Sequence, residues 1–293
     1  MTAPYLLVLA HARSGSNYLL DLLGALDGVS TLGEFFNTAA KAQGQNHREV
    51  ALAPFGGDPA LFMEAARRDP LSTLEFRKNI NGVKLFVVKV LGSQMQNEAN
   101  RRALIDNAAG VLILRRNIFA TWTSRALVKH TKAWVNSTSD EYSVEFDRDA
   151  FLRTGYTVST NAAELARLVR ESGKPSVTLS YSELESIGTP DALWKRISAS
   201  IPGLPALKTR KGWKPKVARQ DNRLPIDRVA NREDAVQALR KLELEYLLNN
   251  NDGEDLDHLL RVFNANRVAP RKKRKPRQNL FVRILRKLNL TKK

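Results

Sequence analysis

Short, mostly apolar runs alternate with longer amphipathic segments along this chain. The apolar runs cover residues 5–10, 83–90, 111–114 and 176–179. Runs of this length suit strands that are buried on both faces of a parallel sheet, and they are too short for core helices. Each run is therefore predicted to be a strand.

Helical periodicity appears between the predicted strands. After the first run, one face of a helix is marked by leucines spaced at i, i+3, i+4 and i+7, namely Leu19, Leu22, Leu23 and Leu26. Further helices are predicted around residues 58–68, 94–109, 119–126, 162–169 and 235–246. Residues 38–58 and 130–150 have no clear period and are interpreted as loops beside a site. Alternating strands and helices predict an α/β fold, with a central, mainly parallel sheet of about four to five strands flanked by helices in three layers.

A tight polar turn, Arg13-Ser14-Gly15-Ser16, separates the first predicted strand from the first predicted helix. The first N–H groups of a helix have no partner within the helix, and the helix dipole adds partial positive charge there. Gly15 allows the backbone to approach an oxyanion closely, and Arg13 adds a planar fork of donors. The turn thus predicts a corner that binds phosphate or sulfate. A plain strand–helix corner is the alternative.

Composition and charge divide the chain into two parts. Of the 293 residues, 43% are hydrophobic, which is enough for a substantial core. Residues 267–293 hold 12 of the 47 Lys and Arg residues and none of the 30 Asp and Glu residues. The other 266 residues therefore carry 35 basic and 30 acidic groups, or +5 of the total +17. We expect an α/β domain over residues 1–266 and a basic tail over residues 267–293.

The tail has an amphipathic pattern. Apolar residues at 280, 281, 284, 285 and 288 fall on one helical face, with Arg and Lys elsewhere. Basic amphipathic helices commonly lie on anionic membrane surfaces, so such a surface is the predicted partner of residues 270–293. A solvated tail, or a helix packed back on the domain, is the alternative. Charge by itself does not indicate a specific nucleic-acid partner.

The sequence also bears on location. No run approaches the roughly 20 apolar residues that a membrane span needs, and the first predicted strand begins almost at once, so we expect neither a span nor a signal peptide. Cysteine is absent, which excludes disulfides and thiolate metal sites. A cytoplasmic protein is predicted, peripheral on the inner face of the membrane if its tail binds there.

Three elements together go beyond a generic nucleotide-binding fold. They are the turn RSGSN at residues 13–17, the segment GEFFN at residues 33–37, and Arg116 at a strand end with Ser124 eight positions later. This combination resembles the sulfotransferases that use 3′-phosphoadenosine 5′-phosphosulfate (PAPS), particularly the bacterial enzymes that act on carbohydrates and glycolipids. The resemblance covers residues 4–40 and 82–128, and more weakly residues 174–186.

The resemblance implies a P-loop-like fold and a role for each motif. The turn would hold the 5′-phosphosulfate of PAPS through Arg13, Ser14, Gly15, Ser16 and Asn17. Arg116 and Ser124 would hold the 3′-phosphate, and Lys211 would also reach it. Glu34 stands where the family has its proposed catalytic base. The implied reaction transfers a sulfuryl group from PAPS to a hydroxyl of a saccharide or glycolipid acceptor, and no metal is expected.

Several assignments within this site stay open. Arg13 is also a catalytic candidate, because it would stabilise charge on the leaving phosphate. His11 and His130 are alternative bases, and His11 follows a strand end, where sites form in open α/β sheets. Lys84 or Lys89 would assist the sulfuryl group only if its strand adjoins the first one.

Two other functions compete with sulfuryl transfer. A phosphotransferase that uses a nucleoside triphosphate would show G-x-x-x-x-G-K-[ST], whereas this turn has one Gly and no Lys. A non-catalytic binder of anionic polymers or membranes would act through the tail. If the protein is an enzyme, residues 38–80 and 130–160 are expected to form the loops that select its acceptor.

Overall fold

The computed structural model describes residues 3–37, 47–92, 94, 97–131, 142–217, 223–249 and 255–269. Within them, five strands form one sheet, namely β1 (Tyr5–Ala10), β2 (Val29–Thr31), β3 (Leu85–Leu91), β4 (Gly110–Arg115) and β5 (Ser176–Ser180). The strand order is β2-β3-β1-β4-β5, and every neighbouring pair is parallel. The predicted α/β fold with a central parallel sheet is confirmed.

The central strand, β1, has all six of its residues buried. It lies between β3 and β4, so that Val8 pairs with Lys89 on one side and with Leu112 on the other. Because helices cover both faces of such a sheet, neither face favours polar side chains. This is why the strands appear in the sequence as continuous apolar runs.

Ten α-helices and four 3-10 helices complete the described residues. The α-helices are α1 (Ser16–Gly24), α2 (Arg48–Leu52), α3 (Pro59–Arg68), α4 (Glu98–Asp106), α5 (Ile118–Thr131), α6 (Arg148–Ser172), α7 (Tyr181–Ile187), α8 (Pro190–Ser200), α9 (Arg232–Lys241) and α10 (Leu256–Ala265). The 3-10 helices are Ala53–Phe55, Ser72–Asn79, Ile226–Arg228 and Glu245–Asn249.

Three apolar clusters hold these elements together. Leu19 of α1 and Leu193 of α8 belong to the cluster on one face of the sheet, and α3, α4 and α6 contribute to the cluster on the other face. A third cluster joins α5, α6, α9 and α10, and within it the ring centroids of Phe119 and Phe151 are 6.0 Å apart. The third cluster fixes α5, which carries Ser124, against the rest of the domain.

The strand order determines where a site forms. The chain leaves β1 toward the β3–β2 edge of the sheet, and it leaves β4 toward β5 at the opposite edge. The carboxyl ends of β1 and β4 are therefore a topological switch point, where ligands bind in open α/β sheets. The turn that begins at His11 and the segment that begins at Arg116 both follow these strand ends.

The prediction of a loop over residues 130–160 is wrong from Arg148 onward, because α6 begins there. Asp147 caps this helix by accepting a hydrogen bond of 2.9 Å from the Ala150 N–H. Gly155 within the helix lowers its propensity, but tertiary packing overrides that preference. A side chain at position 155 would overlap the ring of Phe263.

The prediction of a loop over residues 38–58 is also wrong in part, because α2 and a 3-10 helix lie in its second half. The three-residue strand β2 was not predicted. Residues 38–46, residues 132–141 and the tail from residue 270 fall outside the described residues. None of the helices that the structure describes combines the length and the hydropathy needed to cross a membrane.

Candidate active site

The turn after β1 has an unusual backbone conformation. Arg13 and Gly15 both have positive φ, at 72° and 87°, and α1 begins at Ser16. A non-glycine residue in this region costs about 1–2 kcal/mol, so the strain at Arg13 must be offset by its surroundings. Gly15 meets a second constraint, because any side chain there would overlap the ring of Tyr181. The turn is thus shaped both by local conformation and by a residue far away in the sequence.

Arg13 and Arg116 meet at the switch point. The Arg13 Nε donates a hydrogen bond of 3.0 Å to the Ser124 hydroxyl, and the Arg116 Nη1 donates one of 2.9 Å to the Arg13 carbonyl oxygen. The Arg116 guanidinium also lies 4.2 Å from the centroid of the Tyr181 ring. The two motifs predicted to hold the two ends of PAPS therefore contact each other, although more than a hundred residues separate them.

This corner is positively charged and partly desolvated. Burial is the main cause that lowers the pKa of Arg13, and the neighbouring positive charge of Arg116 lowers it further. An arginine remains protonated despite such shifts, so two like charges are held close together. A bound anion would relieve that repulsion.

The buried hydroxyl of Ser14 is a second indication of a ligand at the turn, separate from the charge of the two arginines. Its side chain is fully buried, and its hydroxyl has no hydrogen-bond partner in the part of the chain that the structure describes. Leaving a buried hydroxyl without a partner costs about 1–3 kcal/mol. An oxyanion bound at the turn would supply the missing partner.

Glu34 follows β2 and lies in a second polar cluster, with partners at the carboxyl end of β3 and just after it. One carboxylate oxygen accepts a hydrogen bond of 3.2 Å from the Lys89 ammonium, and the other accepts from the side-chain amides of Asn37 and Gln94, at 2.6 and 3.2 Å. About a quarter of the Glu34 side chain is exposed. The carboxylate is therefore held in one orientation and still reaches solvent.

The aromatic residues that follow Glu34 anchor it. Phe35 and Phe36 are both buried, and their ring centroids are 5.2 Å apart. Phe35 also packs against Phe62 of α3, at 5.1 Å between centroids. These contacts fix the segment that carries Glu34 to the core.

Lys89 connects the two clusters. Its ammonium donates hydrogen bonds to the Asn17 side-chain oxygen at 2.8 Å and to Glu34 at 3.2 Å, and only 1% of its side chain is exposed. Burial is the main cause that lowers the pKa of Lys89, and the charge of Glu34 opposes that shift. Of the two lysines that the sequence left open, Lys89 is at the site, whereas Lys84 precedes β3 and pairs with Asp27 at 3.5 Å.

His11 lies beside the arginine corner but in a different environment. Its Nε2 is 3.0 Å from the Thr121 hydroxyl. Burial, followed by the charges of Arg116, Arg125 and Arg115, lowers the pKa of His11 to about 3. Its ring also borders a cavity of about 30 Å³, with room for one or two water molecules. His11 is therefore neutral at physiological pH.

Two other predicted candidates are not brought to this corner. Arg210 donates hydrogen bonds to the carbonyl oxygens of Gly24 and Leu26, which fixes the neighbouring Lys211 near the carboxyl end of α1. The turn at Gly15 lies at the opposite end of that helix. His130 is exposed in the last turn of α5. At the carboxyl ends of the strands, contacts link the following predicted residues into one group, with His11 beside it: Arg13, Ser14, Gly15, Ser16, Asn17, Glu34, Arg116 and Ser124.

Sequence reasoning assigned no site role to two residues of this group, Tyr181 and Gln94. Tyr181 packs on both Gly15 and Arg116, and Gln94 positions Glu34 while its own oxygen accepts from the Leu91 N–H. Tyr181 lies within the weaker part of the resemblance, at residues 174–186, whereas no local pattern marks Gln94. The sequence does mark Lys89, because it is a lysine within an otherwise apolar strand.

A scan against models of known protein families matches none of them to this chain, and a search of curated proteins finds no match. The resemblance to the PAPS-dependent sulfotransferases therefore rests on the motif residues themselves and on their placement in the fold.

Proposed function

We propose that this protein is a PAPS-dependent sulfotransferase, which transfers a sulfuryl group to a hydroxyl of a carbohydrate or glycolipid. The main observation in support of the proposal is that Arg13 contacts both Arg116 and Ser124 at the switch point. A donor with phosphate groups at two positions of one nucleotide needs two such cationic elements within a single crevice. A carboxylate lies nearby, connected through Lys89 and Asn17.

Each residue has a defined task in this proposal. The first backbone N–H groups of α1, together with Arg13 and the Ser14 hydroxyl, hold the 5′-phosphosulfate. Arg116 and Ser124 hold the 3′-phosphate. Because the donor carries no triphosphate chain, the turn does not need the lysine of an ATP-binding P-loop.

Glu34 acts as the general base. It takes the proton of the acceptor hydroxyl while the acceptor oxygen bonds to sulfur. The bond between sulfur and the bridging phosphate oxygen breaks, and its electron pair leaves with adenosine 3′,5′-bisphosphate. By analogy with phosphoryl transfer, positioning and charge stabilisation dominate the rate. Arg13 and the helix N–H groups stabilise the charge that develops on the leaving phosphate.

Glu34 is preferred to His11 as the base because it is more accessible. The His11 Nε2 lies against the Thr121 hydroxyl, and burial and three nearby arginines oppose protonation of the imidazole. The Glu34 carboxylate is instead partly exposed, so an acceptor can reach it.

The first experiment measures binding of adenosine 3′,5′-bisphosphate by calorimetry and by thermal shift. A ligand at 100 times its Kd stabilises the folded state by about 2.7 kcal/mol, so a clear rise in Tm is expected. Replacing Arg116 with Met should weaken this binding. Stabilisation by Mg-ATP, with none by the bisphosphate, would instead identify a nucleotide phosphotransferase.

The second experiment tests Glu34 with sulfate transfer from labelled PAPS to glycans and glycolipids of the source organism. Glu34→Gln should lower kcat by about 100- to 10,000-fold and leave bisphosphate binding unchanged. Glu64→Gln, at an exposed glutamate of α3 that pairs with Arg68, is the matched control and should behave as the wild type. A wild-type kcat in Glu34→Gln would remove Glu34 from the mechanism.

We further propose that residues 270–293 hold the protein on an anionic membrane surface. Their alternation of basic and apolar residues is the supporting observation. Such a location would bring the enzyme close to a glycolipid acceptor.

A further inference from the structure

Lys89 occupies a position that packing alone does not explain. It lies in β3, next to the central strand, between the buried residues Val88 and Val90. An apolar residue would fill this position without the desolvation that a buried ammonium undergoes. The ammonium instead contacts two groups that belong to the proposed mechanism, Asn17 and Glu34.

The two contacts of Lys89 join different functional parts. Asn17 lies in the first turn of α1, beside the N–H groups that are proposed to hold the donor. Glu34 is the proposed base. An ammonium has three donors, so one lysine can hold both side chains at once. Its contact with Glu34 fixes one carboxylate oxygen, while Asn37 and Gln94 fix the other.

We infer that Lys89 is a positioning residue, which orients Glu34 relative to the donor and acts on the reaction through that carboxylate. The inference rests on the proposed function. Without the ammonium, Glu34 would keep its amide partners but lose the link to α1. The carboxylate would then adopt orientations in which it cannot reach the acceptor hydroxyl.

Lys89→Met is the main test, because methionine is unbranched and of similar length, and suits the apolar surroundings. Removing one partner of a buried ion pair destabilises a protein because the other charge is left behind. Glu34 is a quarter exposed and keeps its two amide partners, so the Tm of Lys89→Met should fall moderately while unfolding stays cooperative. Its kcat should fall about 100-fold, which is within the range of general-base effects. Its affinity for adenosine 3′,5′-bisphosphate should change less than about threefold, since Lys89 contacts the turn only through Asn17.

The matched control is Lys84→Met, which removes an exposed lysine just before the same strand. It should retain the wild-type kcat and bisphosphate affinity. Lys89→Arg serves as a second variant that keeps the charge, and it should recover part of the kcat lost in Lys89→Met.

A double variant separates positioning from a general structural role. If Lys89 acts through Glu34, the residual rate of Lys89→Met/Glu34→Gln should equal that of Glu34→Gln alone. A further loss in the double variant would overturn the inference, as would a wild-type kcat in Lys89→Met. Either result would leave the proposed function intact if the bisphosphate binds and the kcat of Glu34→Gln is strongly reduced. Failure of bisphosphate binding in the wild type would reject the proposed function itself.

Discussion

Gly15 gives the sharpest test of how the turn after β1 is built, and Gly15→Ala is the perturbation. The residue has φ of 87°, and a side chain there would overlap the Tyr181 ring, which is 7% exposed and also stacks on Arg116. Alanine at this position therefore introduces both backbone strain and a steric clash. The two effects have separate magnitudes and can be measured separately.

The backbone effect costs about 1–2 kcal/mol, because L-residues are disfavoured at positive φ. The clash must be relieved by moving Tyr181 within a packed site, and overpacking of this kind costs about 1–3 kcal/mol. The free energy of unfolding of Gly15→Ala should thus fall by about 2–5 kcal/mol. Gly173→Ala is the matched control, since Gly173 has φ of 66° with nothing within 4 Å of an added side chain. The free energy of unfolding of Gly173→Ala should fall only by the backbone contribution.

Equilibrium unfolding in urea measures both variants, and calorimetry measures their affinity for adenosine 3′,5′-bisphosphate. Gly15→Ala should also bind the bisphosphate more weakly, because a displaced Tyr181 moves Arg116, whereas Gly173→Ala should bind normally. The double variant Gly15→Ala/Tyr181→Ala should lose less stability than the sum of the losses in the two single variants, and the difference should be about the overpacking energy. A Gly15→Ala variant no less stable than Gly173→Ala would refute this account of the turn.

Two further predictions concern protonation and the tail. In the folded protein His11 stays neutral down to about pH 3, whereas in the unfolded chain it takes up a proton below its ordinary pKa of 6.5. The free energy of unfolding should therefore decrease as the pH drops from 6.5 towards 3. Linkage gives a loss of about 2 kcal/mol at pH 5. His11→Gln should lack this loss in urea titrations at pH 8 and 5, and an unchanged pH dependence would contradict the buried neutral imidazole. Deleting residues 270–293 should abolish flotation with vesicles that contain anionic lipid and preserve bisphosphate binding. Loss of both would instead support a tail-driven binder.

The elements around the turn could be predicted from local sequence because their causes are local. The run at residues 5–10, the polar turn and the leucine spacing each act within a few residues, and the structure has a strand, a turn and a helix there. Arg116 and Ser124 lie eight positions apart on one segment, so their pairing as a motif is also visible locally. In contrast, the helix over residues 148–160 could not be read, because packing against Phe263 outweighs the low propensity of Gly155.

The sequence by itself determined which residues could serve a site, since charge, glycine and short apolar runs have the same chemistry in any fold. Tertiary structure alone decided which of them meet. The placement of β3 next to β1 brings Lys89, near the carboxyl end of β3, to the site and leaves Lys84 at the other end of that strand. The adjacent ends of β1 and β4 join Arg13 to Ser124, and the length of α1 separates Lys211 from them. Such contacts depend on strand order, which is fixed by the burial of the whole sheet and leaves no signature in any short stretch of the chain.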